Sequence, residues 1–239
     1  MSKNESNQAW SDRIRARHDP SFLHRWEAFN RMLTSRLTKS TRWLDVGCGN
    51  NTQVATYGHL AEYAVGVDLL PPEEPNGAPF VQSDLRSIPF PDASFDVVTL
   101  RFVVEHIPRV PEDLHEIVRV LRPGGSLIIL TTNSHSPFVL PLRVLPFRLK
   151  NLLIRSLLRV REHDIFPTYH RFNTYARMKR GVPDLELERI EFIQDANFTR
   201  RWLFLVLFGF HLLSRPAALQ RIRPNILAVF RRVEGPPVR

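Results

Sequence analysis

The chain has 239 residues, a length at which an α/β chain commonly forms one domain with appendages. A hydrophobic fraction of 43% and a charged fraction of 24% are near globular averages, which excludes a mainly disordered or fibrous chain. The single cysteine excludes an intrachain disulfide framework and a cysteine-based zinc site, and we predict no metal site. Met1–Gln8 is polar and lacks the apolar run of a secretory signal, so we expect a cytoplasmic protein.

The formal net charge of +9 is unevenly distributed along the chain. Residues 1–134 carry 14 Lys and Arg against 16 Asp and Glu, whereas residues 135–239 carry 19 against 8. Nearly all of the positive charge is arginine, which binds phosphate or carboxylate as a planar fork. The composition therefore suits an anionic partner that meets the second part of the chain.

The first part of the chain predicts helices followed by a parallel sheet. Apolar residues between Trp26 and Leu37 recur at helical spacing, which predicts a helical region within residues 1–42. Short apolar runs then alternate with helical patterns, as in a doubly wound parallel sheet. The predicted strands are Trp43–Val46, Ala64–Val67, Pro79–Gln82, Phe95–Leu100 and Ser126–Thr131. A helix is predicted over Glu112–Leu121, ended by Pro123-Gly124-Gly125.

The pattern changes after Asn133. Three prolines precede a predicted basic amphipathic helix over residues 148–160, with arginines on one face and leucines on another. Leu185–Gln194 and Asn225–Arg231 are predicted strands. Between them, residues 202–213 form an apolar run that is too short to span a bilayer, for which about 20 residues are needed.

The strongest local motif follows the first predicted strand. Asp45 precedes glycines at positions 47 and 49, and the glycines allow a tight turn and close approach of the backbone to a ligand. A strand, a glycine turn and a helix together predict a ligand-binding site. The spacing differs from the dinucleotide fingerprint, because the acidic residue comes first and the last glycine is missing.

These residues resemble the motifs of class I S-adenosylmethionine-dependent methyltransferases, in the family's order. In that family, Asp45 and the glycines would hold the amino-acid portion of the cofactor, and Asn51 stands where many members have a third glycine. Asp68, which ends Val65-Gly66-Val67, would accept hydrogen bonds from the ribose hydroxyls. Asp84 would receive the adenine amino group. Further matches are Ile88–Val98, Arg101–His106 and Leu121–Gly125.

The resemblance implies an α/β fold: a Rossmann-like, doubly wound, seven-stranded sheet with the last strand antiparallel, N-terminal helices and a helical insertion after strand five. It implies S-adenosylmethionine as cofactor. The cofactor-binding candidates are Asp45, Gly47, Cys48, Gly49, Asn51, Asp68, Leu69, Ser83, Asp84, Leu85 and Arg101. The predicted organisation is a helical extension (1–40), the cofactor core (41–134), a basic insertion or acceptor lid (135–182) and strands completing the same domain (183–239).

Methyl transfer from a sulfonium depends mainly on in-line placement of the acceptor and exclusion of water. A hydroxyl acceptor also benefits from a base, for which histidine is the usual choice. The catalytic candidates are His106, His135 and His170, and His163 is a further possible supplier. Oxygen is the first expectation for the acceptor atom and carbon the second.

Several interpretations of the basic second part remain open. Basic residues interleaved with leucines favour an anionic membrane surface and a hydrophobic or lipid-linked acceptor, with peripheral attachment to the inner face of the membrane. The alternatives are a buried lid or dimer interface, and RNA, which is less favoured because no RNA-binding module is evident. A non-catalytic partner subunit that keeps the cofactor fold is also open. The oligomeric state and the acceptor's identity do not follow from the sequence.

Overall fold

A computed structural model describes residues 3–140, 167–195 and 200–233. Seven strands form one mixed sheet in the order β3-β2-β1-β4-β5-β7-β6, and β7 is the antiparallel strand. Their bounds are β1 Arg42–Val46, β2 Tyr63–Asp68, β3 Phe80–Gln82, β4 Phe95–Arg101, β5 Leu121–Thr132, β6 Leu185–Ile193 and β7 Asn225–Arg232. The predicted seven-stranded, Rossmann-like fold with an antiparallel last strand is confirmed.

The middle of the sheet is buried, and its strands are correspondingly apolar. Leu44 of β1 lies opposite Val65 of β2 on one side and Val98 of β4 on the other, in parallel register. All three side chains are at most 1% exposed, as expected for a parallel strand covered on both faces. The strand order reverses between β1 and β4. Open α/β sheets bind ligands at such a switch point, beyond the carboxyl ends of the strands.

Strand β5 begins five residues earlier than the predicted Ser126–Thr131. Phe95 lies opposite Leu121 while Val97 lies opposite Ser126, so residues 122–125 form a bulge beside Asp96. A Cβ on Gly125 would lie 2.8 Å from the carbonyl oxygen of Arg122, which is why this position needs glycine. The Pro-Gly-Gly sequence therefore bulges within a strand, whereas the sequence predicted that it ends a helix before the strand.

The N-terminal helical region is confirmed, and the apolar run 202–213 is helical. The described helices are α1 Lys3–His18, α2 Arg25–Thr34, α3 Thr52–Tyr57, α4 His115–Val120, α5 Tyr175–Arg180, α6 Arg201–Leu213 and α7 Ala217–Gln220, with 3₁₀ turns at Gly58–Leu60, Val104–His106 and Glu112–Leu114. None of these helices has the length and apolarity that a membrane span requires. The predicted basic helix over 148–160 lies outside the described residues.

The chain divides into two compact units. The first comprises described parts of Met1–Ala28, Asn133–Pro167 and Phe192–Asn225, and it contains α1 and α6. The second comprises described parts of Phe29–Thr132, Thr168–Glu191 and Ile226–Arg239, and it contains β1 to β5. The four-part division drawn from the sequence stays a prediction.

Candidate active site

A glycine turn follows β1 at the switch point of the sheet. Gly47 and Gly49 have φ of 70° and 56°, in the left-handed region that favours glycine. The N–H groups of Gly47 and Cys48 donate to the carbonyl of Val67 at 2.7 and 3.2 Å, which holds the turn against β2. A Cβ on Gly49 would meet no atom within 4 Å. The turn predicted from the sequence therefore forms, and its backbone is open at Gly49.

The carboxylate of Asp68 lies beside this turn, at the end of β2. Its Oδ2 accepts the N–H of Gly49 at 2.8 Å, and its Oδ1 accepts the N–H of Leu70 at 3.3 Å. A carboxylate has about four lone-pair sites, so two of them remain for a pair of ligand hydroxyls. Leu69, the next predicted contact, is 57% exposed. Asp68 thus both supports the turn and keeps acceptor capacity for a diol.

Asp45 forms a buried ion pair with Arg101. The Asp45 carboxylate is fully buried and accepts hydrogen bonds from Thr99 Oγ1 at 2.6 Å and Arg101 Nη2 at 2.8 Å. The Arg101 guanidinium lies over the ring of Phe29, 5.7 Å from its centre. Arg101 Nε is buried and has no hydrogen-bond partner among the described residues. The sequence placed Asp45 and Arg101 separately among the cofactor contacts, and the structure brings them together across β1 and β4.

Asn51 has a structural role in this turn. It is fully buried with φ of 55°, and its amide donates to the carbonyls of Pro79 at 2.9 Å and Ala78 at 3.3 Å. A Cβ on Gly66 would lie 2.1 Å from Asn51 Oδ1, so the glycine on β2 makes room for this side chain. Asn51 therefore ties the turn to the connection between β2 and β3. Its predicted contact with the cofactor stays a prediction.

Cys48 is a packed, neutral thiol. It is 4% exposed, and burial raises its pKa to about 12, with the nearby charges of Asp45 and Asp68 adding to the rise. A thiol is nucleophilic only as the thiolate. This environment makes Cys48 a small packing residue of the turn and gives it no nucleophilic role at neutral pH.

Asp84, after β3, is already paired with a cation that the sequence analysis did not single out. Arg86 donates to the Asp84 carboxylate from Nε at 3.0 Å and from Nη2 at 2.6 Å, and this hydrogen bonding holds the pKa of Asp84 below its ordinary value. An adenine amino group would share that carboxylate with Arg86. The neighbouring Ser83 N–H donates to the carbonyl of Asp68 at 2.9 Å, and Leu85 is half-buried.

A buried polar network lies at the carboxyl ends of β4 and β5. Glu105 is 3% exposed, and Thr131 Oγ1 donates to its carboxylate at 2.7 Å. Asn173 Nδ2 donates to Thr131 Oγ1 at 2.5 Å. Burial raises the pKa of Glu105. In the sequence, Glu105 is marked only by the family match over Arg101–His106. Thr131 and Asn173 are not marked, because no local pattern indicates a buried hydroxyl or amide.

Two of the predicted histidines adjoin this network. The carbonyl of Glu105 accepts the N–H groups of Tyr169 at 2.8 Å and His170 at 3.2 Å, so the segment around His170 lies on the turn that carries His106. Phe102, just before that turn, has φ of 56°, a left-handed strain that is common at functional sites. His135 belongs to the other compact unit, where it is exposed.

Comparison with known proteins identifies the domain. A family profile described as a methyltransferase domain matches residues 44–129, which include the glycine turn, Asp68 and Asp84. The resemblance to class I S-adenosylmethionine-dependent methyltransferases that the motifs predict is confirmed over residues 44–129. A methyltransferase of this kind from Mesorhizobium loti has the same fold, with a TM-score of 0.53 and 19% identity over 87% of this chain and 97% of that one.

Two curated methyltransferases are similar to part of the chain. The ubiquinone/menaquinone biosynthesis C-methyltransferase UbiE of Azotobacter vinelandii is 32% identical over 130 residues, which are 48% of this chain and 51% of that protein. The demethylmenaquinone methyltransferase of Listeria welshimeri is 29% identical over 117 residues, 43% of this chain and 50% of that protein. The chain therefore spans about half the length of the curated relatives it matches.

S-adenosylmethionine is the cofactor that the matched methyltransferase domain and the sequence motifs imply. The residues of the site fit it. The open backbone at Gly49 admits a ligand, and Asp68 keeps lone pairs for a ribose diol. For each of the eleven cofactor-binding candidates, direct contact with the cofactor stays a prediction.

Proposed function

We propose that the protein transfers a methyl group from S-adenosylmethionine to a hydrophobic or lipid-linked acceptor at an anionic membrane surface. The observation that carries the chemistry is the open glycine turn beside Asp68 within the matched methyltransferase domain. The acceptor class is supported by the curated relatives, whose names place them in quinone biosynthesis. The location is supported by the basic second part of the chain.

The bound cofactor would supply a methyl group on a sulfonium, an electrophile that needs no acid to leave. The chain's task is to bind, orient and exclude water. The turn at Gly47 and Gly49 would hold the amino-acid portion, and Asp68 would hold the ribose. The ion pair of Asp45 and Arg101 would act as a positioning device, because it fixes β1 to β4 immediately below the turn.

Carbon is the acceptor atom to test first. Oxygen was the first expectation from the sequence and carbon the second, but the relative from Azotobacter vinelandii is named as a C-methyltransferase. A carbon acceptor activated by a neighbouring hydroxyl and an oxygen acceptor both lose a proton during transfer, and a base near neutral pKa would take it. The proposed bases are the three sequence candidates, of which His106 and His170 belong to the second unit and His135 to the first.

Isothermal titration calorimetry with S-adenosylmethionine tests the cofactor site. We expect Asp68→Ala to weaken binding at least about tenfold, because two ribose hydroxyls lose a charged acceptor. Glu62→Ala is the matched control, since it removes an exposed carboxylate immediately before the same strand β2. Undiminished binding by Asp68→Ala, or no binding by the unmodified protein, would overturn the assignment.

Incorporation of labelled methyl groups into fractionated cell extract tests the acceptor class. We expect label in the lipid fraction. If the acceptor atom is carbon, the label should resist both alkali, which cleaves methyl esters, and hydriodic acid, which cleaves methyl ethers. Label confined to RNA would replace the proposal with RNA methylation. Cofactor binding without transfer to any fraction would instead support a non-catalytic partner subunit. The methyl-transfer rate is then measured as a function of pH for His106→Asn, His170→Asn and His135→Asn. The histidine that acts as the base is the one whose substitution abolishes the fall of the rate at acid pH.

A further inference from the structure

Helix α6 of the first unit presents an apolar face to solvent. Trp202, Leu205, Val206 and Leu213 are 53%, 51%, 52% and 75% exposed. At about 3.6 residues per turn these positions fall in one arc of the helix surface. These four side chains form the α6 apolar face. A contiguous exposed apolar patch on a protein surface marks an interaction site, whereas scattered apolar residues do not.

The opposite side of α6 is firmly packed. Phe204 and Phe208 are at most 3% exposed and form a buried cluster with Phe22. His211, one turn further along the helix, lies with Nε2 2.8 Å from Asp19 Oδ2. The helix is therefore anchored on its own unit through one side, and the α6 apolar face is held outward in a fixed orientation.

The segment that carries this face is basic. Residues 200–225 contain five arginines and neither aspartate nor glutamate. Arg200 and Arg201 precede α6 or begin it, and Arg215 follows it with its side chain 57% exposed. Basic residues flanking an apolar helical face complement a surface with apolar tails below anionic headgroups.

We propose that the α6 apolar face is an interfacial docking surface for an anionic lipid bilayer. It would insert Trp202, Leu205, Val206 and Leu213 at the boundary between headgroups and acyl chains, with α6 lying in the plane of the membrane. The 13 residues of α6 extend about 20 Å, less than the roughly 30 Å of a hydrocarbon core, so the helix lies on the bilayer and does not cross it.

A second copy of the chain fits this face less well than a bilayer does. Two copies of α6 packed antiparallel about a two-fold axis would place Arg201 of each against Arg215 of the other. Residues 200–225 offer no carboxylate to compensate this repulsion, and the Asp19 carboxylate 3.9 Å from Arg215 Nε is buried against His211. An anionic lipid surface meets the apolar side chains and the flanking arginines at once.

Vesicle sedimentation tests the surface with the full chain and without cofactor or acceptor. The proposal deepens the membrane location in the proposed function, but vesicle binding is measured separately from methyl transfer, so either can fail alone. We expect binding to vesicles of phosphatidylcholine mixed with phosphatidylglycerol, weaker binding to phosphatidylcholine alone, and loss of the difference at high salt. Equal and weak recovery with both kinds of vesicle overturns the proposal.

Substitution of the exposed leucines locates the binding face. We expect Leu205→Glu/Leu213→Glu to weaken partitioning at least about tenfold, because each inserted leucine contributes more than that factor when fully buried. Leu70→Glu/Val233→Glu is the charge-matched control, since both residues are exposed and belong to the second unit. Unchanged circular dichroism verifies folding, and Leu205→Ser/Leu213→Ser serves if the charged variant fails to fold.

Quenching by brominated lipids reports which tryptophan meets the bilayer. We expect quenching in the unmodified protein and its near-complete loss in Trp202→Phe, which keeps the other tryptophans and an apolar ring. Equal quenching in Trp202→Phe would overturn the placement of α6. The face would instead be assigned to a second copy if the unmodified protein is a dimer in solution, Leu205→Glu/Leu213→Glu dissociates that dimer, and vesicle binding is unchanged in this variant.

Discussion

Substitution of Gly47 by alanine should separate backbone strain from steric overlap in the cofactor turn. At φ of 70°, an alanine costs about 1–2 kcal/mol relative to its preferred backbone region. Its Cβ would also lie 2.1 Å from Cγ2 of Val103, and such overpacking costs about 1–3 kcal/mol as neighbours shift. We therefore expect Gly47→Ala to lower the free energy of unfolding by about 2–5 kcal/mol.

Gly124→Ala is the matched control for that prediction. Gly124 has φ of 75°, but a Cβ there meets no atom within 4 Å, so only the strain of about 1–2 kcal/mol applies. Adding Val103→Ala to Gly47→Ala should recover the overlap part, giving a coupling energy of about 1–3 kcal/mol in a double-mutant cycle. Urea unfolding measures the four proteins of the cycle, which include Val103→Ala alone, and Gly124→Ala as the fifth. Equal losses for Gly47→Ala and Gly124→Ala, or a coupling energy near zero, would refute the argument.

Three further predictions concern buried charge and the buried thiol. Cys48, whose pKa burial raises to about 12, should resist alkylation in the folded protein near pH 8 and react on unfolding, which mass spectrometry would follow. Asp45→Asn should cost about 3 kcal/mol in urea unfolding, because Arg101 would keep a buried charge without its partner; an unchanged midpoint would contradict this. Burial alone would raise the pKa of Asp19, but its hydrogen bonds, including the one to His211, outweigh burial and lower this pKa below its ordinary value. Burial lowers the pKa of His211. Both folded-state values lie below the unfolded ones, so the unfolded chain binds more protons and stability falls as pH drops below about 6.5 and again below about 3.8. The thermal midpoint of His211→Gln should lose less than that of the unmodified protein between pH 7 and pH 5.

The cofactor half of the fold is predictable because its signals are local. Each of β1 to β4 is a short apolar run, and β1 and β2 end at an acidic residue or a glycine turn, so their bounds fall within one or two residues of prediction. The start of β5 differs for a physical reason. Residues 122–125 pair as a bulge, and Arg122 Nη1 donates to Asp96 Oδ1 at 2.7 Å across 26 positions of sequence. A Pro-Gly-Gly sequence alone indicates only a break.

The chemistry of the site was harder to predict than its position, because the decisive contacts join distant residues. Asp45 and Arg101 are separated by 56 positions, and Glu105 and Thr131 by 26. A carboxylate in a motif predicts an acceptor, but not the partner that already occupies it. Asn51 shows the same limit, since the motif marks it only as standing in place of a third glycine, whereas its amide supports the connection between β2 and β3.

The apolar run 202–213 forms a helix that is buried on one side and exposed on the other, although its sequence is apolar on both. A helix that is apolar on every side predicts complete burial in a protein core or a membrane. In α6 one side is buried through Phe204 and Phe208, while Leu205 and Leu213 remain more than half exposed. Leaving a half-exposed leucine in water forfeits about 1 kcal/mol of the free energy that burial would provide. A solvent-facing stripe of polar residues would remove that cost without disturbing the packed side. The apolar stripe is therefore better explained by a surface that covers it than by the stability of the unit itself.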